Sequence, residues 1–115
     1  MDEAFQKQLL ELFVQEAGEH LELLTSGTVE LEQASPARRK ELVETLFREA
    51  HSLKGAARSA GDQEMERLAR ETEALFAVLK EQELSPGKAT VDLLLETFDY
   101  TAALLPRDEQ GRKET

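Results

Sequence analysis

A chain of 115 residues with 40% hydrophobic content has the material for one compact core and not for two. Acidic residues outnumber basic ones by 24 to 14, a net charge of −10, so the summed field repels phosphate backbones and anionic bilayers and argues against nucleic acid and membrane as partners. Cysteine is absent, which excludes disulfides, thiolate catalysis and cysteine-held metals.

The chain starts Met1-Asp2-Glu3, acidic where a secretory signal is basic. No apolar run approaches the ~20 residues that cross a bilayer. A cytoplasmic domain, monomeric in isolation, is the expectation. Glycine and proline are scarce, and alanine, leucine, glutamate, glutamine, lysine and arginine dominate, the residues that lose least on entering a helix.

Apolar residues recur as Phe5, Leu9, Leu12, Phe13, Ala17, Leu21, Leu24 and Leu31, close to the 3.6-residue period of a long first helix. The Ser26-Gly27 pair is expected to bend that helix or end it early, because an interior glycine costs about 1 kcal/mol against alanine. Ser35-Pro36 then supplies an N-cap and a proline at the first helical position. The second helix carries Leu42, Leu46, Ala50, Leu53, Ala57 and Ala60 and stops at Gly61, suited to a left-handed C-cap. Asp62 caps a third helix bearing Met65, Leu68, Thr72, Leu75 and Leu79, so the intervening turn is tight. Leu84-Ser85-Pro86-Gly87 breaks the pattern, and Val91, Leu94, Leu95, Phe98, Ala102 and Leu105 trace a fourth helix ended by Pro106. Four amphipathic helices with short connections predict an all-α, antiparallel, up-down-up-down bundle over residues 1–106. Residues 107–115 are polar and aperiodic, a tail or the start of a linker.

The chemistry concentrates on helix two. His51, Lys54, Gly55 and Arg58 stand at i, i+3, i+4 and i+7 and share a stripe bordering the apolar one. A neutral imidazole, ordinarily titrating at about pH 6.5, offers a nucleophilic ring nitrogen able to accept a phosphoryl group. Lys54, one turn on, puts a cation beside the developing charge. Gly55 removes a side chain that would cover the spot, and a costly mid-helix glycine requires such a reason. A nucleophilic histidine needs an acceptor on its other nitrogen, and Glu73 lies about as far after the Gly61-Asp62 turn as His51 lies before it.

Taken singly, His51, Lys54 and Glu73 are each ordinary solvated side chains; the combination gives them weight. Arg58 and Arg70 are balanced between solvated face and partner contact. Glu16 and His20 have the i, i+4 spacing of paired metal ligands but no companions, so no metal site is expected, and His20 reads as a surface residue. There is no ATP-binding signature, so any phosphoryl donor is another domain.

The segment His51-Ser52-Leu53-Lys54-Gly55-Ala56-Ala57, preceded by Phe47-Arg48-Glu49-Ala50, resembles the histidine phosphotransfer (HPt) domain of chemotaxis-type histidine kinases, the CheA class. Leu12-Phe13-Val14-Gln15-Glu16-Ala17 and Thr90 through Thr97 extend the likeness over most of the chain. The resemblance implies that His51 takes the γ-phosphoryl of ATP from a kinase catalytic domain and passes it to an aspartate of a response regulator receiver domain. It also implies that Lys54 is the phosphate-side lysine, Glu73 the histidine-orienting glutamate and Gly55 the space-making glycine. ATP and magnesium belong to the kinase domain and no cofactor to this one; the isolated domain is then a phosphoacceptor rather than an autonomous enzyme. The chain departs from the family pattern at Arg70, where a second histidine is common, and at Asp62, where an aromatic is common. Arg70, one turn from Glu73, is placed to pair with it. Some members carry a fifth helix, of which the polar tail gives no sign. The rival readings are a docking bundle that is never phosphorylated and a metal-dependent hydrolase using His20 and His51.

Overall fold

Capping chemistry sets the helix boundaries in the computed structural model, which describes residues 2–106. These residues form α1 (Glu3–Leu31), α2 (Pro36–Ala60), α3 (Gln63–Glu81) and α4 (Lys88–Ala103), with no strand among them. The expected tail at 107–115 lies outside the described residues. The side chain of Asp2 accepts from the Phe5 amide (2.8 Å), that of Ser35 from Arg38 (3.2 Å) and that of Asp62 from Met65 (3.0 Å), so three helices open on a satisfied donor. Gly61 takes the left-handed conformation at φ 75°, and the Asp62 amide closes back on the Ala57 carbonyl at 2.9 Å. Asp62 thus completes one helix end and caps the next helix. This two-residue turn makes α2 and α3 a tight antiparallel hairpin.

The far end of α3 closes without glycine. Glu83 holds φ 52° while the Leu84 amide reaches the Leu79 carbonyl at 3.1 Å, the same closure with a side chain in the left-handed region. At the end of α4, helical geometry stops at Ala103, two residues before the expected end at Leu105. The Leu104 and Leu105 amides step back to Thr101 and Ala102 in a tightened turn, because the residue before Pro106 avoids the helical region.

The helices pack up-down-up-down, α2 against α1 and α3, and α4 chiefly against α1. Phe13, Leu24, Leu46, Leu53, Met65, Phe76, Leu94 and Phe98 are among the side chains that fill the shared core. α1 runs unbroken through Ser26-Gly27, contrary to the expected bend or early end. Gly27 has a packing reason instead: a Cβ there would lie 2.7 Å from Cδ2 of Leu46, itself buried in α2. The glycine lets α1 and α2 approach. At the other end of α1 the periodicity misled: Phe5, Leu9 and Leu12 continue the apolar stripe but are exposed. Residues 3–10 of α1 are exposed throughout.

Gly27→Ala is expected to lower stability by about 1 kcal/mol, because overpacking against Leu46 (about 1–3 kcal/mol) outweighs the helix propensity gained (about 1 kcal/mol). Urea unfolding measures it; a more stable variant would show that Leu46 yields freely.

Candidate functional site

Helix phase and hairpin register together place the site. The stripe of α2 that flanks the core meets the matching stripe of α3 through cross-helix contacts in antiparallel order. Lys80 stands 5.4 Å from the Phe47 ring centre, His51 and Lys54 meet Glu73, and Arg58 meets Glu66 at 2.9 Å.

Glu73 is the hub. Its Oε2 accepts from Nδ1 of His51 at 2.5 Å and its Oε1 from Nζ of Lys54 at 2.7 Å. Its side chain is 13% exposed, against 63% for His51, so an anchored carboxylate holds up an open ring. Burial pushes the Glu73 carboxyl up. The hydrogen bonds from Lys54 and His51, with the charges of both, outweigh that and hold it below its ordinary value. An ionised carboxylate only accepts, so Nδ1 carries a proton, and in the neutral ring Nε2 keeps the lone pair. Nε2 has no hydrogen-bond partner among the described residues. The arrangement is an oriented nucleophile with a cation one turn away.

Gly55 sits beside this ring, and a Cβ there would meet nothing within 4 Å. It borders a trough of about 510 Å³ between α1 and α2, whose walls include Leu9, Leu12, Ser52 and Ala56. Leu9 and Leu12, read from sequence as core, form an apolar margin beside Ser52 and Gly55. No sequence signal separated them from the buried stripe, because periodicity gives a face and not what covers it.

Arg58 is committed to Glu66. Arg70 is exposed and, among the described residues, makes no ion pair or side-chain hydrogen bond. The expected Arg70–Glu73 pairing is absent because groups from α2 occupy both oxygens of Glu73.

His20 is not a surface residue. Its side chain is 19% exposed, its Nδ1 contacts Oε2 of Glu49 at 2.6 Å across the α1–α2 interface, and its Nε2 faces Oε1 of Glu16 at 3.5 Å. That Nε2 is buried and makes no hydrogen bond among the described residues, closed to an incoming group. His20 and His51 therefore share a carboxylate on Nδ1 and differ in access to Nε2. Among the described residues no three histidine, cysteine or carboxylate side chains are grouped to hold a metal ion, and no helix is long and apolar enough to cross a membrane.

The family model described as Hpt domain matches residues 8–104. The chain belongs to the Hpt domain family. It is similar to the chemotaxis protein CheA of Treponema pallidum (strain Nichols), 33% identical over 103 residues that cover 90% of this chain and 12% of that protein. It is also similar to CheA of Listeria monocytogenes, 27% identical over 103 residues covering 90% of this chain and 16% of that protein. With CheA of Halobacterium salinarum it shares 32% identity over 96 residues, 84% of this chain and 14% of that protein. The Hpt chain therefore spans under a fifth of the length of these relatives. No solved structure gives a significant match.

Two outcomes follow from the site. Gly55→Ala is expected to stabilise the Hpt bundle by about 0.5–1 kcal/mol while slowing chemistry at His51, since the methyl meets no neighbour but narrows the approach; thermal unfolding beside a phosphorylation assay would reveal any uncoupling. The second concerns pH. Because the folded state holds Glu73 ionised below its ordinary range, its stabilisation is complete above the unfolded value of about 4.3 and fades as pH falls through the lower folded value. The stability gap between wild type and Glu73→Gln should accordingly shrink on acidification below about pH 4.3; a gap that widened there would contradict the assignment.

Proposed function

We propose that this Hpt domain carries a phosphoryl group on Nε2 of His51 between a kinase catalytic domain and an aspartate of a response regulator receiver domain. The observation that carries the reading is the Glu73 bridge, which holds the ring through Nδ1 on one oxygen and Lys54 on the other, and leaves Nε2 without a partner among the described residues. Membership of the Hpt family and likeness to chemotaxis proteins named CheA support the setting.

In the forward step the Nε2 lone pair attacks the γ-phosphorus of ATP held with magnesium in the kinase domain. An N–P bond forms, the P–O bond to ADP breaks and ADP departs with the electron pair. The ring acquires positive charge while its proton stays on Nδ1, hydrogen-bonded to the Glu73 carboxylate, which stabilises that charge. Lys54 stands beside the developing phosphoryl oxygens. In the second step a receiver carboxylate attacks phosphorus, the N–P bond breaks and the imidazole returns to its starting form. This domain contributes position and electrostatics, its partners the nucleotide, the metal and the acceptor, so it is a substrate rather than an autonomous enzyme.

Incubation with a chemotaxis-type kinase domain and labelled ATP should give acid-labile label that is lost in His51→Gln with helicity retained. Glu73→Ala should slow labelling on the order of a hundred-fold. Label persisting in His51→Gln would sink the site, and no label from a kinase active on its own substrate would favour a docking bundle.

A further inference from the structure

The α2–α3 face around His51 holds four cations, Lys54, Arg58, Arg70 and Lys80, and they differ in commitment. Lys54 is bound to Glu73 and Arg58 to Glu66, and Lys80 lies over the Phe47 ring. Arg70 has no such partner among the described residues and is exposed. It lies on the same α3 stripe as Glu66 and Glu73, between them. Since Glu66 meets Arg58 and Glu73 meets His51 and Lys54, the antiparallel register puts Arg70 across the groove from the Lys54–Arg58 segment. A long cationic side chain thus stands on α3 within one turn of Glu73, the residue that meets the ring of His51.

Charge counting gives the reason for it. Before phosphorylation Lys54 balances Glu73, Arg58 balances Glu66 and Lys80 rests on the Phe47 ring, leaving Arg70 as the cation of the face with no partner group among the described residues. A phosphoryl group on Nε2 brings up to two negative charges beside the Glu73 carboxylate, in a domain of net charge −10. Lys54 cannot serve the new oxygens fully without leaving Glu73 less than neutralised, and Arg58 would have to abandon Glu66. Arg70 gives up nothing, and its planar fork suits phosphoryl oxygens.

We infer that Arg70 is a phosphoryl-contacting residue, its guanidinium reaching across the α2–α3 groove to bind the oxygens of the group on His51. The inference rests on the carrier reading of His51 and adds to it a residue of α3. The contact favours the dianionic phosphoryl form and so lowers the pH at which that form takes up a proton.

The test loads the full chain with a small phosphoramidate donor, which needs no partner protein: Nε2 forms the N–P bond and ammonia leaves. The phosphorus resonance is then followed against pH. Arg70→Ala should raise the phosphoryl titration midpoint by about one pH unit, as expected for loss of a close opposite charge, with Arg70→Lys falling between it and wild type. Arg39→Ala, a cation without an ion-pair partner among the described residues at the opposite end of α2, serves as the control for net charge and should leave the midpoint in place. An Arg70→Ala midpoint equal to wild type, or an equal shift from Arg39→Ala, overturns the inference while leaving the carrier reading intact. A wild-type chain that takes no label at His51 overturns both. Circular dichroism of each variant confirms that the bundle is present.

Discussion

A single carboxylate, Glu73, ties chemistry to architecture. It is largely buried at the α2–α3 interface, where an ionised group survives only if paired, and its two oxygens are divided between an imidazole and an ammonium from the neighbouring helix. The same contacts that justify its burial set the orientation of His51. This is possible because the Gly61-Asp62 turn fixes the hairpin register, and one residue of slip would rotate the carboxylate away from the ring. Turn, register, ion pair and tautomer form one chain of dependence.

Around that hub the bundle separates rigid support from open access. Glu73 and Lys54 are half-buried or better, His51 is largely exposed, and Gly55 leaves the helix backbone bare beside it. The first turns of α1 then extend an apolar margin at Leu9 and Leu12 without covering the ring. Under the proposed function the ring nitrogen meets two successive protein surfaces and gains from such a position, because the domain supplies geometry and leaves enclosure to whichever partner is docked.

Much of this was legible from residue order alone. Ser35-Pro36, Gly61-Asp62 and Ser85-Pro86-Gly87 mark breaks with local chemistry, and local chemistry is what a sequence encodes directly. The meeting of Glu73 with His51 followed from counting equal distances on either side of a tight turn. What escaped depends on contacts between distant segments. Gly27 is explained by Leu46, and His20 by Glu49, neither of which is near in the chain. The exposure of Phe5, Leu9 and Leu12 depends on what lies beside the first turns of α1. Arg70 failed to pair with Glu73 because two groups of α2 compete better for it than a neighbour on the same helix, whose i, i+3 pairing contributes only a few tenths of a kcal/mol. Glu83 shows that a left-handed helix end can form without the glycine that would have announced it.

The contrast between the two histidines has an arithmetic consequence. Both present Nδ1 to a glutamate, but the Nε2 of His20 is walled in while that of His51 stands open. Under the proposed function a chain with two imidazoles therefore offers one nitrogen for group transfer, and its state is binary, empty or loaded. Phosphoryl stoichiometry would stop at one per domain, so the fraction of domains loaded, rather than the degree of loading of any one of them, would be the variable a downstream partner reads.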